Sequence, residues 1–269
     1  MRRMPAVAHR FYPGEPEALR RQVEELTAVP PGTKKTAACA VIAPHAGYMF
    51  SGRVAGEAFA QVDIPATVLI LGPNHHGLGA PVAVMAEGSW EMPLGIVPLD
   101  RELAAAILAA SPLAVADPAA HQREHSLEVQ VPFLQLLQPD LAITPVALGH
   151  LPFSACRELG LALAAALKAV TRPVLMVAST DMSHYEPRSL ASRMDHRALE
   201  RVLSLDPEGL YRTVIGERIS MCGIIPTTVV LVAARELGAT RAVLVRYTDS
   251  GETTGDTTQV VGYASLILS

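Results

Sequence analysis

The feature that most constrains this chain is a set of apolar runs lacking polar–apolar alternation. "ACAVIA" (38–43), "TVLILG" (67–72) and "PVLMVAS" (173–179) put apolar side chains on both faces of any strand they form. Such strands must be covered on both sides, as in the parallel sheets of α/β proteins. Further apolar runs lie at 81–85, 141–147, 242–247 and 259–267. Between them, helical periodicity is found near 15–28, 52–61, 99–110, 124–137, 153–169, 189–204, 207–216 and 224–237. The pattern predicts an α/β fold, a three-layer α/β/α sandwich around a mainly parallel or mixed central sheet. The 269 residues can bury about three-quarters of their unfolded surface. Connections are too short for a second unit, so 1–269 is expected to form one domain.

Charge narrows the field of partners. Formal net charge is −4, with 19 Arg and 3 Lys scattered along the chain. Without a cluster of positive charge to neutralise phosphates, nucleic-acid binding is not expected. Apolar stretches such as "LGLALAAALKAV" are too short or interrupted to span a bilayer, so no membrane partner is expected either. Cys39, Cys156 and Cys222 make an odd count without disulfide-like spacing, which points to the reducing cytoplasm. There is no G-x-S-x-G elbow, Walker A loop or strand-adjacent G-x-G-x-x-G.

The residues that follow the strands carry the chemistry. "ACAVIA" leads into Pro44-His45, "TVLILG" into Pro73-Asn74-His75-His76, and "PVLMVAS" into Thr180-Asp181-Met182-Ser183-His184. Each strand delivers an imidazole just past its C-terminal end, the edge at which open α/β sheets bind ligands. If the strands are parallel neighbours about 4.8 Å apart, these side chains converge. Only one of the tandem histidines can face such a pocket from an extended backbone. His75 is favoured, being nearer the strand end.

"HQREHSLE" (121–128) offers two readings. His121 and His125 are four apart, a spacing that can present two ligands on one helix face. Equally, Glu124 and His125 are the polar start of a helix. Cys222 is either a small buried hydrophobe or, next to a helix N-terminus, a thiolate able to bind metal. His9, His150 and His196 read as surface or packing residues, and "SGETTGDTTQ" (250–259) as a hairpin-like loop.

Taken in order, "FYPG", "APHAGYMFSG", "LGPNHHG", "MPLGIVPLD", "EHSLEVQVPFLQ", "STDMSHY", "MCG" and "VVGYAS" resemble the Memo family. Its bacterial and archaeal members are labelled AmmeMemoRadiSam system protein B. That family is similar in fold to the class III extradiol ring-cleaving dioxygenases, which hold non-haem Fe(II). The resemblance implies His45, His75 and Cys222 as metal ligands and His184, with Asp181, as the acid/base pair. Tyr48, Asn74, His76, Glu124 and His125 would line the pocket or support it. Cys222 departs from the dioxygenases' carboxylate ligand: thiolate keeps the charge but is softer and open to oxidation.

The expected function is therefore a non-haem iron, or copper, redox or dioxygenase-like protein acting on a small substrate. The alternatives are a non-catalytic metal-binding or peptide-binding interaction protein and a zinc-dependent hydrolase. The family label implies radical-SAM and AMMECR-type pathway proteins as partners.

Overall fold

The computed structural model describes residues 1–269. In chain order its strands are β1 (Arg2–Arg3), β2 (Ala40–Ala43), β3 (Thr67–Pro73), β4 (Val82–Val84), β5 (Ser89–Met92) and β6 (Gly95–Pro98). They continue with β7 (Val115–Ala116), β8 (Ala142–Leu148), β9 (Val174–Ser179), β10 (His184–Glu186), β11 (Ala242–Asp249) and β12 (Val260–Leu268). The helices are α1 (Pro16–Leu26), α2 (Arg53–Ala60), α3 (Arg101–Ala110), α4 (Val131–Leu137) and α5 (Phe153–Ala169). After them come α6 (Arg188–Leu203), α7 (Pro207–Gly216), α8 (Ile224–Glu236) and α9 (Gly251–Thr254).

The apolar runs pair into a nine-stranded sheet along the path β10-β12-β2-β9-β3-β8-β4-β7, with β11 also paired to β12. Strands β2, β9, β3 and β8 run parallel, whereas β12 and β4 lie antiparallel to β2 and β8. Successive side chains leave opposite faces of a strand, and each face has its own core. Ile42, Leu69, Leu71 and Met176 pack toward α3, α5, α6, α7 and α8. Val41, Val68, Ile70 and Val177 pack toward α1, α2 and α4. A fully buried Leu, Ile or Val contributes roughly 1.5–3 kcal/mol by leaving water, so both layers are strongly held. The mixed, mostly parallel sheet flanked by helices agrees with the fold class expected from the sequence.

Helix α8 is buried all along from Ile224 to Ala234. A helix apolar all round belongs inside a large core, and this one crosses beneath the sheet with its N-terminus at the site. No helix is long and apolar enough to cross a membrane.

Two local expectations differ. The helix expected over 124–137 is α-helical only from Val131, after a 3-10 turn at Glu128–Gln130. Glu124, Ser126, Glu128 and Gln130 are all buried, and their side chains are bonded to distant segments rather than to solvent. The loop over 250–259 contains the single-turn helix α9, closed by Gly255 at φ +76°, a conformation that glycine adopts without a steric penalty. A small sheet, β1-β5-β6, had no strong sequence signal. It is built around buried Trp90, over which the Arg3 guanidinium sits at 4.1 Å.

Candidate metal centre

Strands β2, β9 and β3 are consecutive in the sheet and parallel. Their ends stand level, Ala43 opposite Ser179 and Leu71 opposite Ala178. His45, Asp181 and His75 follow immediately and so share one edge. The His45 and His75 rings lie 5.2 Å apart, edge to face.

Hydrogen bonds fix the tautomers. Ser179 Oγ donates to the Ser126 carbonyl at 2.6 Å, so its single proton is committed. The His45 ring nitrogen Nδ1, 2.8 Å from that oxygen, must therefore be the donor. Gln130 Nε2 also donates to Ser179 Oγ and to the Pro44 carbonyl. The lone pair of His45 is thus left on Nε2. At His75, Nδ1 lies 2.9 Å from Glu124 Oε1, and the backbone N–H donates to Oε2 at 2.7 Å. Burial alone would raise Glu124. The His75 hydrogen bond and charge and the Ser126 N–H outweigh it and hold the carboxyl well below the usual range. As a carboxylate it can only accept, so the shared proton sits on His75 Nδ1, and Nε2 is the nitrogen that the neutral ring offers to a metal. A ring nitrogen committed to a carboxylate or hydroxyl while the other faces outward is the usual arrangement of a metal-ligating histidine.

His125 completes a triad. Its ring stacks on His75 at 4.6 Å and meets His45 edge-on at 5.5 Å. One nitrogen from each of His45, His75 and His125 lies within 4.8 Å of the others, an arrangement that could hold a metal ion. Burial, reinforced by the neighbouring imidazoles, holds His45 well below its ordinary value. Burial likewise lowers His125, to about 4. Neutral imidazole is the form that ligates.

Cys222 reaches the triad through His45, with Sγ 3.2 Å from Nε2. The sulfur also accepts the Asp181 N–H at 3.2 Å. Burial and the Asp181 carboxylate push the thiol well above its ordinary value, so a cation is what would make it a thiolate. Its position depends on Gly223, whose N–H donates to Thr180 Oγ1 at 2.9 Å. A Cβ on Gly223 would collide with the Thr180 side chain and the Ser179 carbonyl. Only glycine lets the start of α8 approach the end of β9 so closely.

The remaining candidates fall in different places. Asp181 is buried, accepts the His45 N–H at 2.7 Å, and is raised by burial to about 6. His184 is held by Ser220, which accepts from its backbone N–H through Oγ and from its ring Nδ1 through the carbonyl. Ser220, rather than Asp181, thus orients that ring. His76 is exposed and donates from Nε2 to the Arg123 carbonyl. Asn74 bonds the Leu78 carbonyl and shapes its own turn. Tyr48 is buried against Phe133, with its hydroxyl donating to the Val129 carbonyl. His121 is buried beside Trp90, bonded to the Ala83 carbonyl, and does not pair with His125 in the cluster.

A cavity of about 690 Å³ opens on the triad and also touches Asp181 and His184. That is ample for a small organic ligand. Sequence reasoning missed Ser179 and Gln130, which hold His45, and Phe11, which meets His125 edge-on at 4.9 Å. One signal was available for the 124–130 segment. In Ser126-Leu127-Glu128-Val129-Gln130-Val131, polar and apolar residues alternate, which no amphipathic α-helix does.

Residues 3–267 match the family described as Memo-like protein. A MEMO1 family protein of Methanopyrus kandleri is 40% identical over 279 aligned residues, covering 99% of each chain. One from Methanothermobacter thermautotrophicus is 42% identical, covering 99% of this chain and all of its own. Among solved structures, an uncharacterized protein from Escherichia coli K12 superposes with a TM-score of 0.60 at 15% identity. It covers 86% of this chain and 99% of its own, a likeness of fold alone.

Proposed function

This chain belongs to the Memo-like family, and from that premise we propose that it is a metal-dependent redox protein acting on a small organic substrate. His45, His75 and Cys222 hold the metal, iron in the first instance and copper as the other redox candidate. The observation that carries this reading is the 3.2 Å between Cys222 Sγ and His45 Nε2, a nitrogen whose lone pair accepts the thiol proton and would turn to a metal once that proton is lost. Metal–nitrogen and metal–sulfur bonds of ~2.0 and ~2.3 Å, meeting at roughly 90–110°, put two such donors about 3.1–3.6 Å apart. When bound, a metal with these donors supplies a Lewis-acidic, redox-active centre with positions left for oxygen and substrate.

The chain's own residues do the rest. Glu124 and Ser179 hold the two imidazoles in their ligating tautomers, and the Asp181 N–H points at the sulfur. His184 lines the cavity with Nδ1 committed to Ser220, which leaves Nε2 able to take a proton from a ligand and return it. The test is reconstitution with Fe(II) under anaerobic conditions, followed by oxygen uptake with candidate catechols. Uptake above a His45→Ala control supports the reading. Iron-loaded protein that consumes no more oxygen than the control rejects it.

A second reading has its own observation. His125 makes a third imidazole in the cluster, and three histidines plus water suit catalytic zinc. Zinc in protein purified without added metal, together with hydrolysis in an ester or amide panel, would favour it over the redox function.

A further inference from the structure

The cavity over the triad has an uneven charge. Arg10 is the only Lys or Arg side chain lining it, and Asp181, whose carboxylate accepts the His45 N–H, is the only carboxyl group. Arg10 is exposed, and its guanidinium has no ion-pair or hydrogen-bond partner within the chain. Aromatic walls supplied by Phe11, Phe50, Tyr185 and Tyr263 stand around it.

Two of the four non-glycine residues with positive φ line this same cavity. His9 has φ +65° and Tyr185 φ +60°. Histidine adopts this conformation more readily than most residues, whereas for Tyr185 it is costly and marks a position fixed by its surroundings. The His9 ring lies against Gly14, where a Cβ would collide with it. Tyr185 lines the cavity and leaves 72% of its surface exposed.

The segment that carries Arg10 is tied down at both ends. Ala6 N, Val7 N and Tyr12 OH all donate to the buried Glu128 carboxylate at 2.5–3.0 Å. Arg3 pairs with the same carboxylate at 2.7 Å. Arg10 and Phe11 are therefore presented by a rigid strap, which reduces the ordering cost of binding.

We infer that the cavity binds a planar aromatic carboxylate, with its ring between the aromatic walls and its carboxylate on the Arg10 guanidinium at the mouth. A guanidinium matches a carboxylate in two parallel hydrogen bonds. One cation, with no glycine-rich phosphate loop beside it, suits a monoanion better than a phosphate. The inference rests on the imidazole cluster being the floor of a ligand site, but not on any turnover there.

The experiment is isothermal titration calorimetry with 2-naphthoate and its uncharged counterpart 2-naphthamide. It compares the full chain, R10Q and the surface control R157Q, each both chelator-treated and zinc-loaded. In wild type and R157Q, the carboxylate should bind about tenfold or more tightly than the amide, as expected for a charge-assisted pair. In R10Q that preference should vanish while the amide's affinity holds. Equal binding of acid and amide by wild type overturns the inference. So does displacement of 2-naphthoate by inorganic phosphate at comparable concentration. A preference that survives in R10Q but requires zinc also overturns it, because the carboxylate would then sit on the metal; that outcome leaves the proposed metal function standing. Conversely, an Arg10-dependent preference in chelator-treated protein supports the inference even if no metal turnover is ever found.

Discussion

Cys222 Sγ and His45 Nε2 lie 3.2 Å apart although 177 residues separate them in the chain. His45 stands at the end of an interior strand and Cys222 at the start of a buried helix, so neither can move without disturbing the core. The spacing suits two donors on one cation.

Replacing that sulfur tests the pairing. Co(II)-loaded wild type should absorb strongly in the near ultraviolet through sulfur-to-metal charge transfer, and Cys222→Ser should lose the band. Metal affinity should fall by more than the ~10–100-fold typical of changes outside the ligand sphere. If the serine variant keeps both spectrum and affinity, the metal is held by imidazoles alone.

Glu124 should matter almost as much as a ligand. Its carboxylate accepts from His75 Nδ1, His75 N and Ser126 N. Glu124→Gln must turn an NH₂ toward one of these donors. Competition with a chromogenic chelator should find metal affinity lowered about 10–100-fold. Urea unfolding of the metal-free variant should find roughly 1–3 kcal/mol of lost stability. An unchanged affinity would mean that His75 is oriented by something other than this carboxylate.

Gly223→Ala probes the close approach of α8 to β9. The added methyl meets Ser179 backbone and Thr180 at short range, so the helix start has to shift. Overpacking of this kind costs about 1–3 kcal/mol, and here it also displaces Cys222. Lower thermal stability together with lower metal content at purification is the expected result. Normal metal content in the variant would uncouple the glycine from the site.

Acid sensitivity should have a contribution from His121, which lies outside the imidazole cluster. Burial holds this ring at about 4 in the folded protein, against ~6.5 when unfolded. Between those values the unfolded chain binds a proton that the folded one does not, so stability rises with pH across the window. On acidification the contribution begins to be lost near pH 6.5 and is gone by about pH 4, roughly 3 kcal/mol in all. Urea unfolding of the metal-free protein between pH 4 and 7 should show His121→Gln with a slope shallower by close to one proton. Parallel curves for the two proteins would place that ring's titration elsewhere.

The parts of the site legible in the sequence were those carried by interior strands. "ACAVIA", "TVLILG" and "PVLMVAS" announce burial on both faces, and whatever follows a buried parallel strand emerges at the binding edge. His45, His75, Asp181 and His184 were found that way, and the order β2-β9-β3 supplies the adjacency the argument needed. The helix periodicity at 124–137 left Glu124 and His125 with two readings, and the family resemblance rather than the local pattern placed them at the pocket. Their segment is shaped by distant bonds, such as Arg3 Nη2 to the Glu124 carbonyl, which no local pattern encodes. Ser179 was invisible for a different reason: a small hydroxyl at the last position of a strand looks like any other, and only the ring it faces gives it a role. The cavity's rim was equally hidden, since His9 and Arg10 reach it from a segment with no periodicity.

Because β2, β9 and β3 are flanked on both sides by paired strands, the roots of the donor loops belong to the part of the molecule that opens last. Fraying begins at peripheral elements such as the two-residue β7, and it propagates inward only as the whole sheet comes apart. The amides of Ile42, Val177 and Ile70 are therefore expected among the slowest to exchange with solvent. A cation could come and go many times in the interval between two such openings, each arriving at a cradle whose shape had not been lost.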